Sequence, residues 1–476
     1  MPQRLGALDA VFLNLEENRA PMHVGGLLTF VTESESTSRP GVEGIFDVIE
    51  SRLPLLPRCR QRLVDVPFGL GRPVWIDDPD FDIRNHLVRV TLPRPGNREQ
   101  LIALVESLHA QRLDRDRPLW EIYLIDGLEG GRTGIYAKLH HCMVDGISAV
   151  ELGLVLLDLD PDGALAPKVP AAAEPGDVPL AGVLLADAWR DAAVAMAAAG
   201  GQALRAAPSM LRGAVEGLSG DRNAAISMLK MLRAAPSGPL NGSIGHGRRV
   251  AFVRLPLPAI KEVKNRLGGT VNDVVLATMG EAISHYLERR GIDADGLRYR
   301  VLVPVSVRGA GDKTMNNQVS GMLLDLPVGP MNAHRRLWAV SQAMAGMKEG
   351  GQSSATEQLM AATAFTPAPL HALASRLGIA NQRIINMVVS NVPGVQMPVY
   401  AAGSRALEMY PLLPQDGLIV LSGSVRQPAE VTFHVSLRRP PAVRGRPARP
   451  ARARPWGDRL PPARPLPRPS ADRTRA

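Results

Sequence analysis

The stretch TGIYAKLHHCMVDG, residues 133–146, decides how the rest of the chain is read. Its first nine residues predict an apolar strand that ends on two adjacent histidines, His140 and His141. On an extended strand neighbouring side chains point to opposite faces, so the two imidazoles cannot share one site unless the strand bends. One is expected to face a cleft while the other packs or hydrogen-bonds inside. Asp145, four residues after the second histidine, can fix the geometry of the turn. Gly146 admits backbone conformations closed to other residues, before helix resumes over 146–159. Zinc would need more ligands on one face than adjacent strand histidines supply. A lone His–His pair also has a purely structural reading, so its surroundings must decide.

Outward from this strand the pattern is mixed. PLWEIYLIDGL (118–128) predicts a neighbouring strand, joined to the histidine strand by a Gly-rich turn at 130–131. HVGGLLTFV (23–31) predicts another. FDVIESRL (46–53) reads as a helix ended by Pro54, and residues 98–113 place Leu101, Leu104, Val105 and Leu108 on one helical face. Residues 160–247 turn Ala-, Gly- and Pro-rich, with helical stretches near 180–218 and 222–233. From 249 the mixed pattern resumes with a strand (RVAFVRLPL), a helix over 275–290, and a strand in which Val301, Val303, Val305 and Val307 alternate. The expected architecture is α/β (α+β): an N-terminal half over 1–160, a helical crossover over 161–247, a C-terminal half over 248–437 and a disordered tail over 438–476.

A chain of 476 residues, 45% hydrophobic and 21% charged, has ample material for a buried core, which excludes disorder throughout. Two cysteines, Cys59 and Cys142, exclude a disulfide scaffold or a zinc ribbon. The net charge of +9 is misleading: residues 438–476 hold twelve Arg and two Asp, so the remainder is close to neutral. Ten of those 39 tail residues are proline, and too few are apolar to offset ordering entropy. The tail reads either as an arm for nucleic acid or an acidic membrane surface, or as a non-native terminus with the composition GC-rich DNA yields out of frame; no nucleic-acid partner is expected from the rest. Asp9 interrupts the only apolar run at the N-terminus, so no secretory leader is expected. The charge-free runs 358–375 and 384–404 are broken by Pro367, Pro369, Pro393 and Pro398, so neither reads as a membrane span. A cytoplasmic protein is expected.

HHCMVDG matches the HHxxxDG signature of CoA-dependent acyltransferases and peptide-synthetase condensation domains. More narrowly, the chain resembles the bacterial wax ester synthase/diacylglycerol acyltransferase family from about residue 4 to about residue 424. The resemblance rests on LDAVFLNLE (8–16), PMHVGG (21–26), Pro57 to Leu63, FDIRNHL (81–87), LDRDRPLWE (113–121), TVNDVVLA (270–277), VPVSVR (303–308) and SNVPG (390–394). It implies two chloramphenicol acetyltransferase-like halves of mixed sheet with a tunnel between them. It also implies acyl transfer from acyl-CoA to diacylglycerol or a long-chain fatty alcohol, with acyl-CoA as substrate and no cofactor. His141 would be the general base, a task suited to a group that titrates near neutrality. Asp145 would be structural, with Arg308 as its expected partner, and His140 and Gly146 would support the site. Lipophilic substrates imply peripheral contact with the inner membrane face or lipid droplets.

Other candidates have competing readings. Asn272 and Asp273 precede a helix, where capping is the plain expectation and a place near CoA or the oxyanion the functional one. Trp120 starts a strand, where core or tunnel packing outweighs chemistry. Asn391 lies in a turn signal that the family places near the tunnel. Cys142 is expected to be a packed small residue rather than a nucleophile. GAGDKT (309–314) lacks the spacing of a phosphate loop. The chain departs from the family after 424, where a strand and a closing helix are expected to be lost and a sheet edge exposed. Alternatives are transfer from a carrier protein, and a non-catalytic lipid- or nucleic-acid-binding protein.

Overall fold

A computed structural model describes residues 3–17, 20–31, 42–144, 152–153, 155–161, 178–194, 196–197, 234–241, 248–306, 319–349, 385–391, 397–413, 419–426 and 430–438. Asp145, Gly146, Arg308, the SNVPG residues after Asn391, most of the crossover and the tail beyond Arg438 lie outside the described residues.

In chain order the first part of the chain contributes β1 (Gln3–Arg4), α1 (Ala7–Leu15), β2 (His23–Val31), α2 (Val42–Arg52), β3 (Gln61–Val64), β4 (Val74–Asp77), β5 (Leu87–Thr91), α3 (Arg98–Ala110), β6 (Trp120–Leu128) and β7 (Arg132–His140). After the crossover come β8 (Arg248–Pro256), α4 (Leu257–Leu267), α5 (Val271–Glu288), β9 (Arg298–Ser306), β10 (Val319–Pro327), α6 (Ala333–Glu349), β11 (Met387–Asn391), β12 (Tyr400–Ala401), β13 (Ser404–Leu412), β14 (Ile419–Arg426) and β15 (Glu430–Arg438). Two six-stranded sheets result, in the orders β12-β13-β2-β7-β6-β5 and β10-β9-β11-β14-β15-β8, with a small sheet β1-β4-β3 beside them. Both large sheets are mixed: β5/β6, β9/β11 and β11/β14 pair parallel, and their other neighbours antiparallel. The mixed α/β expectation is met.

Local chemistry accounts for the main elements. α3 starts with a capping box in which Asn97 and Gln100 satisfy each other's backbone N–H, and it buries Leu101, Val105 and Leu108. α5 starts earlier than periodicity suggests because Thr270 is its N-cap and Asp273 returns the bond, at 3.2 and 2.8 Å. This corrects the expected capping by Asn272 and Asp273: Asp273 takes the reciprocal position and Asn272 makes no capping bond. α4 was not foreseen. In the crossover, residues 181–190 are helical as expected, and Leu184 and Ala188 are buried.

The two sheets interlock. β13 belongs by sequence to the second half, yet it pairs antiparallel with β2 in the first sheet. α3 of the first half reaches β8 of the second, where the Val250 N–H donates to Glu106 at 2.7 Å. Phe252 and Tyr410 stack with centroids 4.2 Å apart. β8 is an edge strand, and Glu106 satisfies one of its outward N–H groups. The loss of a strand expected after 424 does not occur: β15 lies inside the second sheet, between β14 and β8. Val431, Phe433 and Val435 alternate there, a strand period that the proline-rich sequence downstream obscures. Among the described residues no helix is long and apolar enough to cross a membrane.

Asn386 ties the crossover to the second sheet. Its carbonyl accepts from the Arg300 N–H at 2.7 Å, and its amide donates to Pro236 O at 2.6 Å and to Asn241 at 2.7 Å. Asn386→Leu, which keeps the branching and heavy-atom count but is bulkier, would leave these groups unmet in a fully buried place. Urea unfolding of that variant is expected to show a loss of about 2–4 kcal/mol; an unchanged midpoint would mean that the bonds contribute nothing net.

Candidate active site

β7 sorts its side chains by alternation. Tyr136, Lys138 and His140 share the face turned toward α3 and the loop after it. The Tyr136 hydroxyl meets His109 Nδ1 at 2.8 Å. Lys138 Nζ is fully buried, 2.8 Å from Glu121, and donates to the carbonyls of Leu108 and Gln111. Burial lowers the Lys138 pKa and the Glu121 carboxylate opposes that shift. Ile135, Ala137 and Leu139, which alternate with these residues, join or pack against the apolar core on the opposite side.

The two histidines separate as extended geometry requires. His140, the last residue of β7, is buried beside Glu16. Its Nε2 lies 3.5 Å from Glu16 Oε1 and its Nδ1 accepts the Cys142 N–H at 3.1 Å. His141 stands on the turn beyond the strand and is partly exposed. Its N–H donates to the Met22 carbonyl at 2.8 Å, and its ring stacks on Phe12 of α1, centroids 3.9 Å apart and 6° from parallel. The turn closes with the Met143 N–H on the His140 carbonyl at 3.0 Å.

Glu16, directly after α1, is the residue that the motif reading missed. Its side chain is 1% exposed. It accepts from Arg112 Nη2 at 2.8 Å and from Arg115 Nη2 at 2.9 Å, and it lies 3.4 Å from His23 Nε2. Burial opposes ionisation of Glu16, but the neighbouring imidazoles of His140 and His23 and the Arg112 guanidinium outweigh it and hold the carboxyl far below the usual carboxylate range. Burial lowers the pKa of His140, against the pull of Glu16, and pushes His23 down to about 4. Both imidazoles are therefore neutral near pH 7, and the charge that balances Glu16 is that of the two arginines. The signal available in sequence was the first of two adjacent glutamates, closing an apolar helix seven residues before His23.

The remaining candidates fall into place separately. Trp120 is a core residue: its indole N–H donates to the Cys59 carbonyl at 2.7 Å and its ring stacks on His86, centroids 4.5 Å apart. Burial pushes the Cys142 thiol well above its ordinary range, which suits a packed residue and not a nucleophile. Trp120 and the two histidines meet on paired strands of the first sheet. Asn272, in the first turn of α5, and Asn391, exposed at the end of β11, belong to the second. Among the described residues no group of three or more His, Cys, Asp or Glu is placed to hold a metal ion. Two surface depressions, one lined by Arg94 and Glu129 and the other by Arg60 and Phe81, do not include His141, and the expected tunnel is not among them.

A histidine presented on a turn at the end of a central strand, within two interlocked mixed sheets, defines an acyltransferase of the HHxxxDG class. The family model for the wax ester synthase/diacylglycerol acyltransferase catalytic domain matches residues 5–275, and that for the WS/DGAT C-terminal domain matches residues 315–427. The chain belongs to the wax ester synthase/diacylglycerol acyltransferase family. A Mycobacterium tuberculosis (strain ATCC 25618 / H37Rv) relative named "Probable diacyglycerol O-acyltransferase tgs1" is 35% identical over 415 residues, covering 86% of this chain and 85% of its own length. The solved wax ester synthase/diacylglycerol acyltransferase from Marinobacter aquaeolei VT8 superposes with a TM-score of 0.63 at 26% identity, covering 92% of this chain and 93% of its own. The first condensation domain of the calcium-dependent antibiotic synthetase shares the fold alone, with a TM-score of 0.57 at 17% identity over 92% of this chain and 91% of its own.

The depressed histidines predict acid sensitivity. His23 titrates at about 4 in the folded chain and near 6.5 when exposed, so below pH 6.5 the unfolded chain takes up a proton that the folded chain refuses. The stability is full above pH 6.5 and falls as the pH drops toward 4, by up to roughly 3 kcal/mol from this residue. His140, shifted the same way, adds to the decline. Urea midpoints measured across this window are expected to fall in the wild type and to fall less in His23→Gln.

Proposed function

We propose that this acyltransferase moves a long-chain acyl group from acyl-CoA to diacylglycerol, forming triacylglycerol, with His141 as the general base. The observation that carries the reading is the division of labour at the end of β7, where His140 is buried and His141 stands partly exposed on a turn held by Met22. The acceptor hydroxyl gives its proton to the His141 imidazole as its oxygen attacks the thioester carbonyl carbon. Collapse of the tetrahedral adduct breaks the C–S bond, and the imidazolium returns the proton to the departing CoA sulfur. No covalent enzyme intermediate and no cofactor are needed. Stacking on Phe12 restrains the imidazole plane, which reduces the orientational entropy lost on reaching the transition state. The name of the mycobacterial relative supports diacylglycerol as acceptor, and that of the Marinobacter enzyme supports a long-chain fatty alcohol as a second one.

The test is CoA release from palmitoyl-CoA with dioleoylglycerol or hexadecanol, the lipid product being identified by mass spectrometry. Release is expected to require an acceptor and to fall by about 10²–10⁴-fold in folded His141→Ala. Undiminished release in that variant would overturn the base assignment, and a product other than triacylglycerol would replace the acceptor.

Contact with a lipid surface is part of the same proposal, because diacylglycerol does not leave the lipid phase. Phe68 (89% exposed), Leu180 (77%) and Trp189 (68%) support it. The turn after Phe68 lies against the helix that carries Trp189, since a Cβ on Gly71 would meet Ala188 Cβ at 2.8 Å. The protein is expected to sediment with phosphatidylcholine vesicles containing diacylglycerol, and the double variant Phe68→Ser, Trp189→Ser to remain mostly in solution. A wild type wholly in the supernatant at low salt would overturn the contact.

A further inference from the structure

We propose that Glu16 is the positioning residue of the general base: acting through His140 and Met22, it fixes the turn on which His141 stands. The inference rests on the reading of His141 as the base and extends the machinery to a residue outside the HHxxxDG stretch.

Besides the Met143 N–H on the His140 carbonyl, the turn is held by two bonds whose accepting residues Glu16 touches. The first is the His141 N–H on the Met22 carbonyl, and the N–H of the same Met22 donates to Glu16 Oε1 at 3.3 Å. The second is the Cys142 N–H on His140 Nδ1 at 3.1 Å. That bond demands a lone pair on Nδ1, so in neutral His140 the proton must sit on Nε2, which faces Glu16 Oε1 at 3.5 Å. A carboxylate there favours that tautomer; with the proton on Nδ1, two N–H groups would oppose each other and the turn would lose its anchor.

The other oxygen of Glu16 explains how a carboxylate persists in this place. Oε2 accepts from Arg112 Nη2, Arg115 Nη2 and Arg115 Nε at 2.8, 2.9 and 3.2 Å. The arginines are 33% and 43% exposed, so two partly hydrated cations balance one buried anion. Oε2 is thus occupied by arginine and Oε1 is left to His140 and the Met22 N–H, while His23 Nε2 beside it accepts the Leu113 N–H at 3.4 Å. An anchor for α1 alone would need the arginine contacts but would be indifferent to the tautomer of His140.

The experiment uses the full chain. Glu16→Gln keeps the shape and removes the charge, and Glu16→Asp keeps the charge on a shorter arm. CoA release from palmitoyl-CoA with dioleoylglycerol is measured for both, beside His141→Ala, and the His140 tautomer is read from nitrogen-15 imidazole shifts, assigned with His140→Asn. In Glu16→Gln, kcat is expected to fall about tenfold or more with KM for both substrates within about twofold, and the His140 signal to lose its pure Nε2–H pattern. Glu16→Asp is expected to retain that pattern and to recover part of kcat. Wild-type kcat in Glu16→Gln overturns the proposal, as does a loss of kcat with an unchanged His140 pattern. If Glu16→Gln does not fold, Glu16→Asp decides: a folded Asp variant that keeps the Nε2–H pattern but is as inactive as His141→Ala overturns it. Activity retained in His141→Ala would remove the base assignment itself, whereas an inactive His141→Ala beside a fully active Glu16→Gln removes only the role of Glu16.

Discussion

A single buried carboxylate constrains the first sheet more than any other group. An ionised Glu16 out of contact with water would be prohibitive without charge balance. The chain supplies that balance from a distant stretch, Arg112 and Arg115 after α3, and so draws four elements together: α1, which ends at the carboxylate, β2 and β7, which bring His23 and His140 to it, and the loop that carries the arginines. His23 and His140 are directly opposed in the β2/β7 register. The carboxylate between them gives this part of the sheet a definite pairing as well as a definite charge state.

The polar face of β7 continues the same logic. Lys138, buried two residues before His140, is met by Glu121 from β6 and by the two carbonyls near the end of α3. Tyr136, two residues earlier again, reaches His109 on α3. Tyr136 and Lys138 draw their partners from α3, its following loop or the neighbouring strand, His140 draws its own from the end of α1 and the turn, and the intervening apolar residues serve the opposite core. A strand with one polar and one apolar face can end in two histidines of different kinds. The imidazole on the polar face becomes part of the internal network, and the one beyond the strand end stands partly exposed on the turn.

Interlocking gives that arrangement its rigidity. A strand from the second half completes the first sheet, and a helix from the first half covers the edge of the second. The shared apolar cluster of Leu27, Val105, Tyr136, Val250 and Tyr410 draws on both. His141 therefore rides on a body that cannot be separated into independent halves without exposing a core, and α5 and β11 of the second sheet share that frame.

How much of this was legible depends on the range of the interaction. The strand at 23–31 was read to the residue, and those at 118–128 and 133–141 to within two, because alternation and turn residues are local. The opposite fates of His140 and His141 also followed from period-two geometry, and the motifs led to the family. The role of Glu16 was not legible: a glutamate at a helix end reads as solvent-facing until arginines almost a hundred residues away are seen to enclose it. The capping of α5 by Thr270 was missed because Asn272 and Asp273 are equally good capping types, and only the backbone shows which residue stands at the boundary. The place of β15 inside the second sheet, and of β13 in the first, depends on pairing between segments far apart in sequence. Composition, period and motif determined the class of fold, the histidine pair and the family. Only the tertiary structure decided which charges are buried together and which strands cross between the halves, because those depend on loop closure and charge balance over the whole chain rather than on any local pattern.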